Sequence, residues 1–215
     1  MYVFSSKEER LSDEYHLREL AIALDVTNPK RNMPPRVPAS QLVLDVGCGA
    51  GQTLIVGYPD RISFGLDIDF DALKLGRSLT DSVRFTQRKA EALPYKSGQF
   101  DLLFARVCIP YTNIVAALRE FRRVLKPGGL LWITLHPIAI PLAQARKSGY
   151  KAKIFFCYVV LNSALFHLIQ RQFPLRGRYE SFQTDSGMRR ALSHTGFGHM
   201  QIGRGAVYAI TARAV

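Results

Sequence analysis

Three alternating glycines are the part of the sequence best suited to binding a small ligand. They follow the apolar run Leu42–Val46, which is typical of a buried parallel strand. Gly47, Gly49 and Gly51 remove Cβ atoms at a sharp turn, so a ligand can contact backbone N–H groups in front of the next helix. The spacing G-x-G-x-G differs from the dinucleotide pattern G-x-G-x-x-G. Asp45, two residues ahead of the loop, favours a ligand that carries an ammonium or a sulfonium.

A second acid lies at the end of the next predicted strand. Asp67 ends the run Ile62–Asp67, about twenty residues after the glycine loop, where a βαβ unit places a carboxylate that accepts hydrogen bonds from two ribose hydroxyls. The alternative role, N-cap of the predicted helix Phe70–Leu79, fits Asp69 better. The two strand ends together indicate a ligand that contains a nucleoside.

Predicted strands alternate with predicted helices through the middle of the chain. The strands cover residues 42–46, 62–67, 83–87, 100–105 and 130–135, and the main helices cover 52–57, 70–79 and 114–125. This alternation predicts a doubly wound parallel sheet with its ligand crevice at the carboxyl ends of the strands. A helix capped by Thr184–Ser186 and a hairpin over residues 199–202 and 206–212 complete the chain.

Length and composition favour one α/β domain over residues 1–215. Residues 1–40 form a lead-in: a helix over 11–25 with Ser12 as its N-cap, then a proline-rich connector that leads towards the ligand mouth. The first residues do not resemble a signal peptide, so we expect a cytoplasmic protein. The three cysteines lack metal-ligand spacing, so we expect small core residues and no metal site.

The net charge of +12 is unevenly distributed. Residues 136–215 contain 11 Lys and Arg against 2 Asp and Glu. An excess of this kind indicates a nucleic acid or an anionic lipid as partner, or only a solvated basic face.

An apolar, basic insertion covers residues 137–178. Its segment Ile154–Gln170 contains no Lys, Arg, Asp or Glu, and Ser163, His167 and Gln170 would form one narrow polar stripe on a helix. Lysines before the segment and arginines after it are typical of an interfacial helix on anionic lipid. The alternatives are a lid buried over the acceptor pocket and a homodimer contact.

Five motifs in register resemble the class I S-adenosylmethionine-dependent methyltransferases, in particular the small-molecule, UbiE/COQ5-like branch. They are Val43–Gly51, Gly65–Ile68, Ala90–Tyr95, Phe100-Asp101 and Val124–Gly129. The resemblance implies a Rossmann-like, doubly wound α/β fold with a seven-stranded sheet, mostly parallel, and an antiparallel C-terminal edge hairpin. It also implies S-adenosyl-L-methionine as cofactor.

Cofactor contacts follow from this resemblance. The glycine loop would lie against the methionine half, Asp45 near the ammonium, Asp67 on the ribose hydroxyls and Ile68 on the adenine face. The Ala90 N–H would meet an adenine nitrogen, with Leu93 against the ring. The remaining residues expected at the cofactor are Cys48, Glu91 and Arg106. Lys89 departs from the family pattern, because an Asp commonly accepts from the adenine amino group there and an ammonium cannot accept. We expect the lysine to point to solvent.

Methyl transfer needs alignment more than it needs a base. For an acceptor that must lose a proton, the candidates are His136 and Tyr111, and Arg106 could steer an acidic acceptor. Against these roles, His136 would only end its strand, Tyr111 would only line the pocket, and Arg106 would pair with Asp101 or Glu120.

The sequence therefore predicts a methyltransferase for a small, apolar or aromatic acceptor. One alternative is an RNA or protein methyltransferase, which the absence of an N-P-P-Y motif disfavours. The other is a non-catalytic protein that binds an adenosyl ligand.

Overall fold

The computed structural model describes residues 6–135, 150–177, 179–204 and 207–215. Within these ranges the strands are β1 (Val43–Val46), β2 (Ser63–Asp67), β3 (Val83–Gln87), β4 (Phe100–Arg106), β5 (Leu125–Leu135), β6 (Phe197–Arg204) and β7 (Tyr208–Ala214). The helices are α1 (Ser6–Leu24), α2 (Gln52–Gly57), α3 (Phe70–Leu79), α4 (Ile114–Val124), α5 (Tyr150–Ile169) and α6 (Asp185–His194), with a 3₁₀ turn at Ile109–Tyr111.

The strands form one sheet in the order β3-β2-β1-β4-β5-β7-β6. β1 pairs in parallel with β2 and β4, and β5 pairs in parallel with β4, whereas β7 is antiparallel to both β5 and β6. This confirms the predicted fold class. All four residues of β1 are buried, as its apolar sequence predicts for a central parallel strand.

Helix α4 packs one apolar face on the main core. Its buried residues Ile114, Ala117, Leu118 and Phe121 recur at helical spacing and join the main core, while the Asn113 side chain accepts from the Ala116 N–H and caps the first turn. α4 therefore packs on the main core directly after the turn Ile109–Tyr111.

Two local expectations are wrong. Ser12 lies inside α1 and is not its N-cap, because the preceding Lys, Glu and Arg residues are good helix formers and the helix begins at Ser6. Cys48 is buried and Cys108 half-buried, but Cys157 is exposed on α5 and is not a core residue. The insertion predicted over 137–178 contains α5 in its described part.

Candidate active site

The glycine loop between β1 and α2 brings its backbone against neighbouring side chains. Gly47 has φ +78°, and a Cβ there would lie 2.4 Å from the Cβ of Cys108. Gly49 has φ +53°, and its Cβ would lie 2.6 Å from Cε1 of His16. Because any other residue would be both strained and too large here, the loop keeps a bare backbone at the carboxyl end of the sheet.

The Asp67 carboxylate holds the glycine loop in place. Its Oδ2 accepts from the Gly49 N–H at 2.7 Å, and its Oδ1 accepts from the Asp69 N–H at 3.0 Å. Each oxygen retains a lone pair for a hydroxyl donor. The capping role falls to Asp69, whose side chain accepts from two N–H groups of α3. Ile68, between the two acids, is 64% exposed and offers an apolar surface beside the carboxylate.

Asp45 is a buried carboxylate with unused acceptor capacity. Among the described residues its Oδ1 has no hydrogen-bond partner. Burial raises the pKa of Asp45 well above its usual range, the nearby Arg106 guanidinium opposes that rise, and the charge of Asp67 adds to it. Since a buried acceptor without a donor is costly, Asp45 is suited to receive a cationic ligand group.

Arg106 ends β4 and ties two helices to the sheet. Its Nη1 donates to Thr53 Oγ1 of α2 at 2.8 Å, and its Nη2 lies 3.3 Å from Glu19 Oε2 of α1. Its Nε is buried and has no partner in the described part of the chain. The two pairings that the sequence offered for Arg106 are wrong. Lys126 lies 2.7 Å from Asp101, and Arg123 lies 2.7 Å from Glu120.

Helix α1 covers the glycine loop through His16. The Gln52 amide nitrogen donates to His16 Nδ1 at 2.8 Å and to the His16 carbonyl at 3.2 Å, so Nδ1 accepts and the ring is neutral. Burial lowers the pKa of His16, against the raising effect of four nearby carboxylates. Sequence reasoning missed His16 and Glu19. Their signal was the i, i+3 spacing, which puts both side chains on one face of the helix.

The chain changes direction sharply after Arg106. Val107 has φ +57°, a strained value for a β-branched residue, and its N–H donates to the Thr134 carbonyl at 2.9 Å. The turn that follows places Tyr111 half-exposed at the same edge of the sheet. Burial, and then the charges of Glu180 and Tyr15, raise the pKa of Tyr111. The third candidate, His136, lies outside the described residues.

The segment after β3 contains an exposed side chain and several residues that are buried or bonded to α4. The Lys89 side chain is exposed, and Ala90 is buried. Glu91 Oε1 accepts from the Asn113 N–H at 2.8 Å, at the start of α4. Leu93 packs in the main core, and its N–H donates to Glu120. The structure thus brings Asp45, Asp67, the glycine loop and Arg106 together, and it engages Glu91 and Leu93 with α4.

Known proteins with similar sequences are methyltransferases. A family model described as a methyltransferase domain matches residues 44–133. Malonyl-[acyl-carrier protein] O-methyltransferase of Enterobacter lignolyticus is 30% identical over 178 residues, which cover 79% of this chain and 70% of that protein. The ubiquinone/menaquinone biosynthesis C-methyltransferase UbiE of Klebsiella pneumoniae is 34% identical over 123 residues, 51% of this chain and 49% of that protein.

Solved structures share the fold at lower identity. An S-adenosylmethionine-dependent methyltransferase from Thermotoga maritima has a TM-score of 0.61 at 18% identity, with 96% of this chain and 98% of that chain covered. Phosphoethanolamine N-methyltransferase 2 of Haemonchus contortus, solved with S-adenosylhomocysteine, has a TM-score of 0.56 at 18% identity. The match covers 87% of this chain and 38% of that chain.

The chain belongs to the class I S-adenosylmethionine-dependent methyltransferases and is of the UbiE-like type. The described residues fit the cofactor. The glycine loop has a bare backbone that a ligand can approach, the Asp67 carboxylate has lone pairs that could accept from hydroxyls, and the unpartnered Asp45 oxygen could accept from a positively charged group. Among the described residues no group of His, Cys, Asp and Glu could hold a metal ion.

Proposed function

We propose that the chain transfers the methyl group of S-adenosylmethionine to a small, apolar or aromatic molecule. The observation that carries this proposal is the position of Arg106 at the end of β4 and of Tyr111 in the turn that follows, because β4 pairs with β1, the strand that leads into the glycine loop. The names of two relatives support a small acceptor, since one acts in ubiquinone and menaquinone biosynthesis and the other on a malonyl group carried by a protein.

Three residues of this chain have roles on the acceptor side. When bound, the cofactor supplies a methyl group that its sulfonium has already activated, so alignment of the acceptor supplies much of the rate. Tyr111 keeps its proton at neutral pH, since its pKa is raised, and it donates a hydrogen bond to an acceptor oxygen. The Arg106 guanidinium orients an acidic or phenolate acceptor. His136 is the proposed base for an acceptor that must lose a proton.

Cofactor contacts by the residues around the loop form part of the same proposal. Asp45, Gly47, Cys48, Gly49 and Gly51 hold the amino-acid half. Asp67 holds the ribose, and the adenine lies between Ile68 and the segment that contains Ala90, Glu91 and Leu93. The exposed Lys89 leaves the adenine amino group to backbone carbonyls.

Calorimetry with S-adenosylmethionine, followed by turnover on a panel of quinones, phenols and malonyl thioesters, tests the proposal. Binding and methylation of a small acceptor support it. Methylation of RNA or protein alone, or binding without any turnover, would replace it with one of the two alternatives. A His136→Ala enzyme whose rate is unchanged across the pH range, with His194→Ala as the control, would remove the base.

The proposal also includes a partner for the apolar segment Ile154–Gln170. We favour peripheral contact with an anionic membrane over a homodimer contact. A lipophilic acceptor dissolved in that membrane would suit such an enzyme.

A further inference from the structure

Helix α5 turns an apolar face outward. Tyr150, Ile154, Leu161 and Leu168 are exposed by 70%, 66%, 60% and 66% and follow one another at intervals of four and seven residues, so they share a face. Phe173 and Leu175, just after the helix, are exposed too. These six residues are called the outward face below. An exposed apolar surface of this size is uncommon unless it binds something.

The opposite side of α5 is buried and contains both apolar and polar residues: Val159 and Phe166 are 6% and 0% exposed, and Phe166 belongs to the main core. Asn162, only 1% exposed, accepts from the Phe173 N–H at 2.8 Å and donates to the Glu180 carbonyl at 3.1 Å. Ser163 Oγ accepts from the Phe182 N–H at 2.7 Å, and His167 Nδ1 lies 2.7 Å from Thr184 Oγ1. The helix therefore has apolar residues on both sides, one side packed against the protein and the other exposed. The lid expected for this segment stays a prediction.

The polar contacts fix the direction of the outward face. To bury Leu161 or Ile154 against its own chain, α5 would have to rotate and break the hydrogen bonds of Asn162 and Ser163. Each broken bond inside the protein leaves a buried polar group unsatisfied. The hydrogen bonds of Asn162 and Ser163 therefore keep the outward face turned away from the described part of the chain.

Charge favours anionic lipid over a second copy of the chain. Residues 150–177, which contain α5 and the segment after it, include Lys151, Lys153, Arg171 and Arg176 but no Asp or Glu. Lys153, Arg171 and Arg176 are exposed beside the outward face. Two copies packed through this face would bring like charges together, whereas anionic headgroups would neutralise them and the acyl chains would cover the apolar residues.

The same contacts argue for a helix that lies on the membrane. By length and hydropathy, Ala152–Ile169 is one candidate span in the described chain, with a mean hydropathy of 1.7. Only one face of it is free, however, since the other is bonded to residues 173–184. A helix held to its protein on one side, with a free apolar face and basic flanks, fits the interfacial arrangement.

Helix α5 also adjoins the acceptor side of the site. The Ser181 N–H donates to the Pro110 carbonyl at 3.2 Å, and the Ile114 N–H donates to Gln172 Oε1 at 2.9 Å. These bonds join the segment after α5 to Pro110, inside the turn that contains Tyr111, and to Ile114, the first residue of α4. A membrane bound by the outward face would lie next to the proposed acceptor entrance.

We propose that α5 docks the enzyme on an anionic membrane by inserting its outward face among the lipids while its opposite side stays bonded to the protein. The purpose of this docking, access to a lipophilic acceptor, rests on the proposed function. The docking itself is measured without methyl transfer.

Vesicle flotation tests the docking. At low salt the chain should float with vesicles of phosphatidylcholine and phosphatidylserine, and less with phosphatidylcholine alone. Ile154→Glu with Leu161→Glu should reduce the floated fraction at least about tenfold, since charges on an inserted face are costly. Val26→Glu, at an exposed apolar residue beyond α1, is the matched control and should float like the unchanged chain. S-adenosylmethionine binding should be equal in all three.

Cys157 allows an independent measurement of docking because it is exposed on α5 between Ile154 and Leu161. A polarity-sensitive fluorophore on its thiol should shift to shorter wavelength when anionic vesicles are added. The same label on Lys30→Cys, in a Cys157→Ser chain, should not shift.

No flotation at low salt, or equal flotation of the double glutamate variant, would overturn the docking proposal, and so would a dimer that this variant converts to monomer. Loss of cofactor binding in the unchanged chain would instead count against the proposed function.

Discussion

The ring of His16 occupies the space directly above Gly49, with its Cε1 only 2.6 Å from where a Cβ would stand. Helix α1 and the glycine loop are thus in contact at the residue whose N–H donates to Asp67. Any group added at Gly49 must displace the helix, the loop or both. Cofactor binding and α1 docking therefore depend on one another.

Gly49→Ala should abolish most cofactor binding. Alanine at φ +53° is strained by about 1 to 2 kcal/mol and collides with His16, which shifts the loop. We expect the calorimetric Kd for S-adenosylmethionine to rise at least about tenfold. Gly128→Ala is the control, because Gly128 has φ +76° with no atom within 4 Å of its Cβ position. It should lose similar stability and keep its affinity, and equal loss of affinity in both variants would contradict the prediction.

Asp67→Asn should weaken cofactor binding by about tenfold to a hundredfold. The substitution removes the negative charge that accepts from the Gly49 N–H and that the proposal assigns to the ribose hydroxyls, and hydrogen bonds to a charged group contribute about 1.5 to 3 kcal/mol. Asp81→Asn, at an exposed acid ahead of β3, should bind normally. Isothermal titration calorimetry measures both, and unchanged affinity in Asp67→Asn would show that the carboxylate only orders the loop.

Cofactor binding should release a proton from Asp45. Its pKa is raised by burial in the free protein, and a cationic group placed at Oδ1 lowers it, so the proton leaves as the cofactor binds. Titrations at mildly acidic pH in buffers of different ionisation enthalpy give the number of protons released. Asp45→Asn should remove this release. Proton uptake in the unchanged chain would be inconsistent with a cation beside Asp45.

Stability should fall on the acid side of neutrality because of His16. The unfolded chain protonates this histidine near pH 6.5, whereas burial lowers its pKa in the folded chain, so the unfolded state binds more protons as the pH falls below 6.5. Above pH 6.5 the contribution of His16 to the free energy of unfolding no longer changes with pH. Urea unfolding at pH 7.5 and 5.5 should show a larger loss for the unchanged chain than for His16→Gln. Equal losses would mean that the ring titrates normally.

The ion pair of Arg106 and Glu19 should contribute about 1 kcal/mol to stability. Its atoms are 3.3 Å apart and each side chain is less than a quarter exposed, at 22% and 24%. A double-mutant cycle with Arg106→Gln and Glu19→Gln measures the coupling. The exposed pair Arg204 and Asp185 is the comparison and should give less. A smaller coupling for Arg106 than for Arg204 would contradict the expected dependence on burial.

Local sequence signals accounted for the sheet. Apolar runs predicted the strands, and Asp69 and Thr184, both observed N-caps, marked the starts of two helices. The glycine loop and Asp67 were found because they lie at strand ends, where the topology itself brings residues together. These features depend on neighbours in sequence or on the parallel sheet.

Contacts between residues far apart in the sequence could not be predicted from local patterns. Arg106 could have paired with several acids, and its partner Glu19 is 87 residues away on a helix whose docking no local pattern specifies. The contacts of α5 were inaccessible for a related reason. Its stripe of polar residues was visible in the sequence, but the hydrogen-bond partners that residues 173–184 supply to Ser163 and His167 were not.

The bonds of Arg106 also have a kinetic consequence. They join β4 to α1 and α2 across 87 and 53 residues, so both close large loops, and α1 has a place to dock only once the sheet edge exists. We therefore expect α1 to be among the last elements to settle during folding and among the first to detach from the native protein. In hydrogen exchange its amides should lose protection well before those of β1 and β4, and bound cofactor should slow that opening more than it slows any other.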